Sequence, residues 1–253
     1  MIAREIASFF AALRFLTRLP GPRWVGSAAQ GLERSAPYFP LVGALVGAIG
    51  AAVASFSARL WPHPVAIALS MGATAVVTGA FHEDGLSDAA DGFGGGWTRE
   101  DILRIMKDSR VGSFGVVALV LVLLTKFALL ESVAAPGRLA ALMIAGHAAS
   151  RLAPVALIFV LDYARNETGK ARPVATGMTT GRLALAGVFG CAPSLTLPPG
   201  PALAALVFCL GSAALAGRFF HKRIGGYTGD CLGATQQISE IAFYLGATCG
   251  AFS

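Results

Sequence analysis

The sequence predicts an all-α polytopic membrane protein of about seven transmembrane helices, with an amphipathic helix at its N-terminus and that terminus in the cytoplasm. Three observations carry the prediction. Of the 253 residues, 55% are hydrophobic and only 13% charged, about half the charge of an average soluble domain. The apolar residues gather into blocks of about 17 to 25, the length that crosses a bilayer as a helix. Lys and Arg fall on alternate sides of those blocks.

Residues 1–19 come first. Ile2, Ile6, Phe9, Phe10, Leu13 and Leu16 recur at helical spacing while Arg4, Arg14 and Arg18 take the other positions, the pattern of a helix lying in the membrane interface. The arginines interrupt the apolar run and no small-residue cleavage site follows, so a signal peptide is not expected. The expected spans are then 36–58, 64–81, 114–133, 138–160, 183–199, 202–220 and 235–252. Arg151 and Pro154 interrupt the fourth, and Pro193, Pro198 and Pro199 the fifth, so either is open to being broken or re-entrant.

Orientation follows from the basic residues. Arg4, Arg14, Arg18, Arg23 and Arg34 precede the first span, and further groups follow the second, fourth and sixth, whereas the opposite loops hold only Arg59 and Arg138. The positive-inside rule therefore puts loops 82–113, 161–182 and 221–234 in the cytoplasm. A net charge of +6 reflects this topology and contact with anionic lipid, and gives no reason to expect nucleic acid as a partner. Cys191, Cys209, Cys231 and Cys249 are scattered without a C-x-x-C pair, so neither a disulfide framework nor a zinc site is expected. The chain reads as a single integral-membrane catalytic domain, 1–253.

The second span runs into "FHEDGLSDAADGFGGGW", where Glu83, Asp84, Asp88 and Asp91 fall within nine residues. Continued as a helix through Ala90, the span would put Asp84, Asp88 and Asp91 on one face. Carboxylates so close repel unless a cation sits among them, and their hard oxygens suit magnesium, calcium or manganese. Magnesium that keeps waters and completes its shell from a phosphate is the arrangement of phosphoryl-transfer sites. The glycines that follow are expected to release the chain from the helix and let backbone approach a ligand. The alternatives are a solvated loop beyond the helix end, or an ion or proton pathway.

Thr98 reads as the N-cap of a short surface helix bearing Ile102, Ile105 and Met106. Beyond it, Lys107 and Arg110 suit the neutralising of phosphates, and Asp108 could join a metal shell. Arg99 and Arg104 fit basic anchors better. "DYARNETGKARPVATG" suits an anionic ligand through Arg165 and Arg172 and equally an ordinary basic loop. In "IGGYTGDCLGATQQISE", Asp230 stands before the last span as a metal ligand, a general base or simply the N-cap, and Glu240 follows inside the span. His82 adjoins the acids and could touch substrate. Arg151, costly within a span, points to a substrate phosphate or an interhelical carboxylate.

Together "FHEDGLSDAADGFGGGW", "RIMKDSRVGSFGVVALVL" and "GGYTGDCLGAT", with "FLTRLP" and "YFPLVGALVG" nearer the N-terminus, resemble the cobalamin synthase family, the adenosylcobinamide-GDP ribazoletransferases. The resemblance implies a magnesium-dependent enzyme of the bacterial cytoplasmic (inner) membrane, active on its cytoplasmic side. A ribose hydroxyl of α-ribazole, or of its 5'-phosphate, attacks the phosphate attached to cobinamide in adenosylcobinamide-GDP, giving adenosylcobalamin or its 5'-phosphate and releasing GMP. The match carries over Glu83, Asp84, Asp88 and Asp91, then Lys107, Asp108 and Arg110, then Asp230. From the residues themselves we expect Glu83, Asp84, Asp88, Asp91 and Asp108 around the metal, Lys107 and Arg110 on phosphates, Asp230 as ligand or base, and Arg151, Arg165, Arg172 and His82 towards substrate. A homo-oligomer that also gathers other enzymes of the pathway would give the membrane setting a purpose.

A phosphotransferase using a CDP-linked donor is the nearest other enzyme. The acids here are spaced D-G-x-x-D-x-x-D, without the following Arg and distant second Asp pair of the CDP-alcohol phosphotransferases. A cation transporter requires polar residues through mid-membrane, and the second, third and sixth spans read as nearly free of them.

Overall fold

The computed structural model describes residues 2–22, 34–164 and 178–250. These form helices with no strand among the described residues, apart from one isolated bridge between Tyr163 and Tyr227. The helices are α1 (Ile2–Leu16), α2 (Phe39–Ser57), α3 (His63–Thr78), α4 (Phe81–Gly95), α5 (Arg99–Ile105), α6 (Ser113–Glu131), α7 (Pro136–Val160), α8 (Thr180–Cys191), α9 (Pro199–Ile224) and α10 (Gly229–Thr248). Short 3₁₀ turns precede α2 and follow α8.

Each expected span contains a helix, but fewer qualify as crossings. Among the described residues four segments are long and apolar enough, Ala36–Ser57, α6, α7 and α9, and a bent pair, α3 with α4, makes up to five. The expected fifth span is the 12-residue α8 followed by a 3₁₀ turn and Pro198, as its prolines foreshadowed. The seventh, α10, has the length but carries Gln236, Gln237 and Glu240, all buried, within its apolar stretch. The fourth is not broken: α7 runs through Arg151 and Pro154 without interruption.

α7 is the central post, with 78% of its most apolar stretch buried against 17% in α6 and 28% in α9, which turn Val117, Leu121, Leu203 and Leu215 outward to a lipid-like environment. It packs most extensively on α2, and the sequence of α2 explains the fit. Gly43 and Gly47, one turn apart, face the backbone of α7, where a Cβ on Gly47 would stand 2.6 Å from the Met143 carbonyl oxygen. The backbones therefore approach as only small residues allow.

The helix expected at the interface is more integrated than its amphipathic pattern suggests. Ala12, Leu13 and Leu16 of α1 are buried in the main apolar core, and Arg18 N–H donates to the Val77 carbonyl at 2.7 Å. That bond fastens the end of α1 to the place where α3 stops.

The expected continuation of the second span through Ala90 is corrected here. Gly79 (φ 67°) and Ala80 (φ 55°) both adopt the left-handed conformation, and α4 departs at 87° to α3. Glycine takes this conformation without penalty and closes α3; alanine does not, and Ala80 is held there by backbone hydrogen bonds, its N–H donating to the Ala75 carbonyl at 2.8 Å and its carbonyl accepting from Asp84 N–H at 2.9 Å. The acidic motif thus belongs to a separate helix. The glycines after it also act otherwise than expected: Gly92, Gly94 and Gly95 stay inside α4, and a Cβ at Gly92 or Gly94 would collide with Met106 or with the Phe114 ring. They admit α5 and α6 against α4.

Candidate functional site

Two helix starts meet at one cavity. α4 begins with Glu83 and Asp84 in its first turn, where the helix dipole favours negative charge. α10 is capped by Thr228, whose hydroxyl oxygen accepts from Cys231 N–H at 3.2 Å, and carries Asp230 in its first turn. Asp230 is therefore not the N-cap; its carboxylate accepts from the Thr228 hydroxyl at 3.3 Å. The two helices touch through Gly85 and Gly233, where a Cβ on Gly85 would stand 3.2 Å from both Gly233 Cα and the Asp230 carbonyl oxygen. That backbone contact sets Asp84 and Asp230 on the same wall.

The cavity has a volume of about 320 Å³ and is lined by His82, Asp84, Arg151, Asp230 and Tyr163, and on its apolar side by Phe15, Leu16, Phe39, Phe81, Pro154 and Leu232. Arg151 is 2% exposed. One guanidinium nitrogen donates to the His147 carbonyl at 3.0 Å and approaches His147 Nδ1 at 3.2 Å, while its Nε has no hydrogen-bond partner among the described residues. A buried guanidinium N–H without an acceptor costs at least about 1–3 kcal/mol, and the guanidinium brings a positive charge to the cavity wall.

The other expected site residues lie elsewhere. Asp91 is buried and caps α6: its Oδ2 accepts from Gly112 N–H at 2.7 Å and its Oδ1 from Gly115 N–H at 2.8 Å. Gly112, the N-cap of α6, has no side chain to do this, so the neighbouring helix supplies the acceptor. Asp108 is chelated by Arg110, with Nη2 to Oδ2 at 2.6 Å and Nε to Oδ1 at 3.0 Å. The Arg110 guanidinium holds that carboxyl down at about 2, and Asp108 in turn raises Arg110. Asp91, Asp108 and Arg110 border a separate open depression on the far part of α4, and Lys107 is exposed beside it.

These positions do not bring all the expected metal-binding residues together. Seven residues of helix separate Asp84 from Asp91 by about 10 Å along the axis, too far for the roughly 2 Å bonds of one magnesium ion. Among the described residues no three His, Cys, Asp or Glu side chains are grouped to hold an ion. Glu83 turns inward, its Oε1 accepting from Gln237 Nε2 at 3.1 Å. Asp88, half-buried, lies one turn along α4 from Asp84. Arg165 and Arg172 fall outside the described residues.

Other anchors are structural. Arg99, beyond its expected role as a basic anchor, donates to the carbonyls of Ile224 at 2.9 Å and Ala164 at 2.6 Å, tying the ends of α9 and of the post-α7 segment together. Thr98 caps α5 as expected, accepting from Asp101 N–H at 3.1 Å.

Beneath the cavity runs a buried polar network that inspection of single residues missed. Glu240 Oε1 receives Lys126 Nζ at 2.7 Å and the Tyr244 hydroxyl at 3.0 Å, with His147 Nε2 at 3.3 Å. Its Oε2 receives Gln236 Nε2 at 2.9 Å, and Gln237 links Gln236 to Glu83. The candidate span α6 therefore does carry a basic residue, Lys126, and its signal was an acidic residue, Glu240, in α10. The aromatic wall was also missed, although Phe15 and Phe39 open the "FLTRLP" and follow Tyr38 in the "YFPLVGALVG" stretches.

Comparison with known proteins agrees with this arrangement of motifs. The family model for cobalamin-5-phosphate synthase matches residues 8–248. A protein of Ralstonia pickettii (strain 12J), named adenosylcobinamide-GDP ribazoletransferase, is 50% identical over 242 residues, 94% of this chain and 94% of its own length. Its namesakes from Ralstonia nicotianae and Shewanella frigidimarina are 49% identical over 237 residues and 46% over 245, covering 92% of both chains in the first case, and 96% of this chain and 94% of the relative in the second. No solved structure matches. With a family model spanning nearly the whole chain and relatives this similar end to end, the chain belongs to the cobalamin-5-phosphate synthase family.

Proposed function

We propose that this protein is an adenosylcobinamide-GDP ribazoletransferase, joining adenosylcobinamide-GDP to α-ribazole or its 5'-phosphate and releasing GMP. The observation that carries the proposal is the cavity on which Asp84, Asp230 and the buried Arg151 converge at the first turns of two helices. Helix N-termini and a guanidinium attract phosphate, and the two carboxylates supply what a phosphate alone does not need: a metal ligand and a base.

Magnesium fits this donor set. The ion binds through one or two carboxylates and completes its shell from water and substrate phosphate, so Asp84, with Asp88 one turn along, would hold it without a third acid. Bound there, it would neutralise charge on the non-bridging phosphate oxygens and on departing GMP. Arg151, on the cavity wall, attracts the attacked phosphate through its positive charge. Asp230, oriented by the Thr228 hydroxyl, takes the proton of the attacking ribose hydroxyl. Lys107 and Arg110, being exposed, draw in the anionic diphosphate rather than touch the reacting phosphorus.

The distribution of Lys and Arg supports a multi-pass protein of the bacterial cytoplasmic membrane with the cavity open to the cytoplasm. The test is GMP release by purified protein in lipid, supplied with adenosylcobinamide-GDP, α-ribazole and magnesium. Acceptor-dependent release is expected, reduced at least about hundredfold by Asp84→Asn, Asp230→Asn or Arg151→Lys in proteins that remain folded. No release with any divalent metal or acceptor, or release of CMP from a CDP-linked donor instead, would overturn it.

A further inference from the structure

We infer that the aromatic side of the cavity is the seat of the acceptor's base, and that α1 is therefore part of the substrate site rather than only a membrane anchor. The inference rests on the reaction proposed above. Phe15 of α1 stacks on Phe39 of α2 with ring centroids 5.7 Å apart and planes 15° apart, and meets Phe81 of α4 edge-on at 5.3 Å and 70°. The three rings form one continuous apolar patch on the cavity that Asp84, Arg151 and Asp230 also line. An apolar patch beside an anion-binding wall matches a molecule with a flat apolar end and a ribose or ribose-phosphate end.

Size and polarity decide which substrate that is. A volume of about 320 Å³ stands at the low end of the roughly 300–1,000 Å³ of ligand pockets, enough for a nucleoside and too little for a corrinoid macrocycle. Three nucleoside groups enter the reaction: α-ribazole, the donor's guanosine, and the donor's adenosyl group, which is carried on the corrinoid that the cavity is too small to admit. The guanine of the donor carries several hydrogen-bonding groups on its edges, which phenylalanine rings would leave unpaired. The base of α-ribazole is a dimethylated benzimidazole, flat and apolar, with one exposed ring nitrogen, and it suits stacked and edge-on phenylalanines. The acceptor thus occupies the cavity with its ribose directed to Asp230 and Arg151, and the donor presents only its diphosphate there. Arg18, bonded through its N–H to the Val77 carbonyl, keeps the end of α1 against the start of α4 and so holds Phe15 beside Phe81.

The experiment combines binding with kinetics on the full chain in lipid nanodiscs. Titration calorimetry with α-ribazole and no donor is expected to show binding that guanosine does not displace. Phe15→Ala and Phe81→Ala are each expected to weaken it roughly tenfold or more, and Phe15→Leu, which keeps an apolar side chain, to weaken it less. Phe81 is partly exposed, so its variant remains informative if Phe15→Ala fails to fold. In turnover both alanine variants should raise KM for α-ribazole by the same factor while KM for adenosylcobinamide-GDP stays within about twofold. Guanosine competing as well as α-ribazole, or equal rises in both KM values, would overturn the assignment even with GMP release intact. Binding of α-ribazole by a protein that releases no GMP would sink the proposed reaction and leave the base seat standing.

Discussion

Lys126 Nζ lies 2.7 Å from Glu240 Oε1, joining α6 to α10 with both side chains at most 5% exposed. Glu240 collects further donors from Tyr244 and Gln236, so both of its oxygens are met by groups that favour its charge. Removing one member of such a pair strands the other. Lys126→Met is therefore expected to destabilise the protein by about 3–5 kcal/mol, and the double change Lys126→Met with Glu240→Gln to recover much of that loss. Thermal unfolding in one lipid or detergent condition checks this. A double variant no more stable than the single one would mean that the pair is not the unit that matters.

Asp91 gives a contrast between a cap and a metal ligand. Its two oxygens accept from the Gly112 and Gly115 amides, so Asp91→Ala removes the cap of α6 and is expected to cost about 2 kcal/mol, with Asp91→Asn costing less. The magnesium concentration for half-maximal GMP release should remain that of the wild type in Asp91→Asn and rise in Asp84→Asn. A shifted requirement in Asp91→Asn would return this residue to the metal.

Much of this arrangement was legible in the sequence, and what was not has a physical reason. The apolar blocks mark α2, α3, α6, α7 and α9 because burial in lipid demands uninterrupted hydrophobic length. Asp84, Asp230 and Arg151 stood out as polar groups at or inside those blocks, and they do share a cavity. The bend before α4 was not legible, because Ala80 is a residue that avoids the left-handed conformation, and the backbone hydrogen bonds that hold it there, to Ala75 and Asp84, leave no side-chain pattern. Asp91 looked like its neighbours in the motif, yet the amides it serves lie in a segment whose approach no local pattern reveals. Glu240 stood out only as a carboxylate inside the last expected span and Lys126 was passed over, because their relationship exists only once α6 and α10 are side by side.

The Asp108 and Arg110 pair makes a pH prediction. Arg110 holds the Asp108 carboxyl at about 2, below the value of an unfolded aspartate near 3.9. A carboxyl so depressed contributes its full stability above the unfolded value and loses it as pH falls from there through about 2. Over about pH 5 to 9 the pair stays ionised, so Asp108→Asn should leave the shape of the pH profile of GMP release unchanged. A displaced acidic limb in that variant would show Asp108 titrating in the working range.

The contact between Gly85 and Gly233 is where packing and chemistry coincide. A Cβ on Gly85 would press at 3.2 Å on the Asp230 carbonyl oxygen and on Gly233 Cα, and one on Gly233 at 3.1 Å on Gly85 Cα. At those distances α4 and α10 must separate by a few tenths of an ångström for one methyl group, and further for a branched side chain. Both helices are anchored elsewhere, α4 through Asp91 to α6 and α10 through Glu240 to Lys126, so the protein should stay folded while Asp84 and Asp230 move apart. Misplacement by about 1 Å at a reacting centre costs up to roughly hundredfold in rate. Gly85→Ala is therefore expected to lower kcat about tenfold, and Gly85→Val about hundredfold, with a much smaller change in unfolding temperature. Equal losses of stability and rate would mean that the glycines serve packing alone, and unchanged kcat in Gly85→Val would remove the helix contact from the account of how the two carboxylates are set.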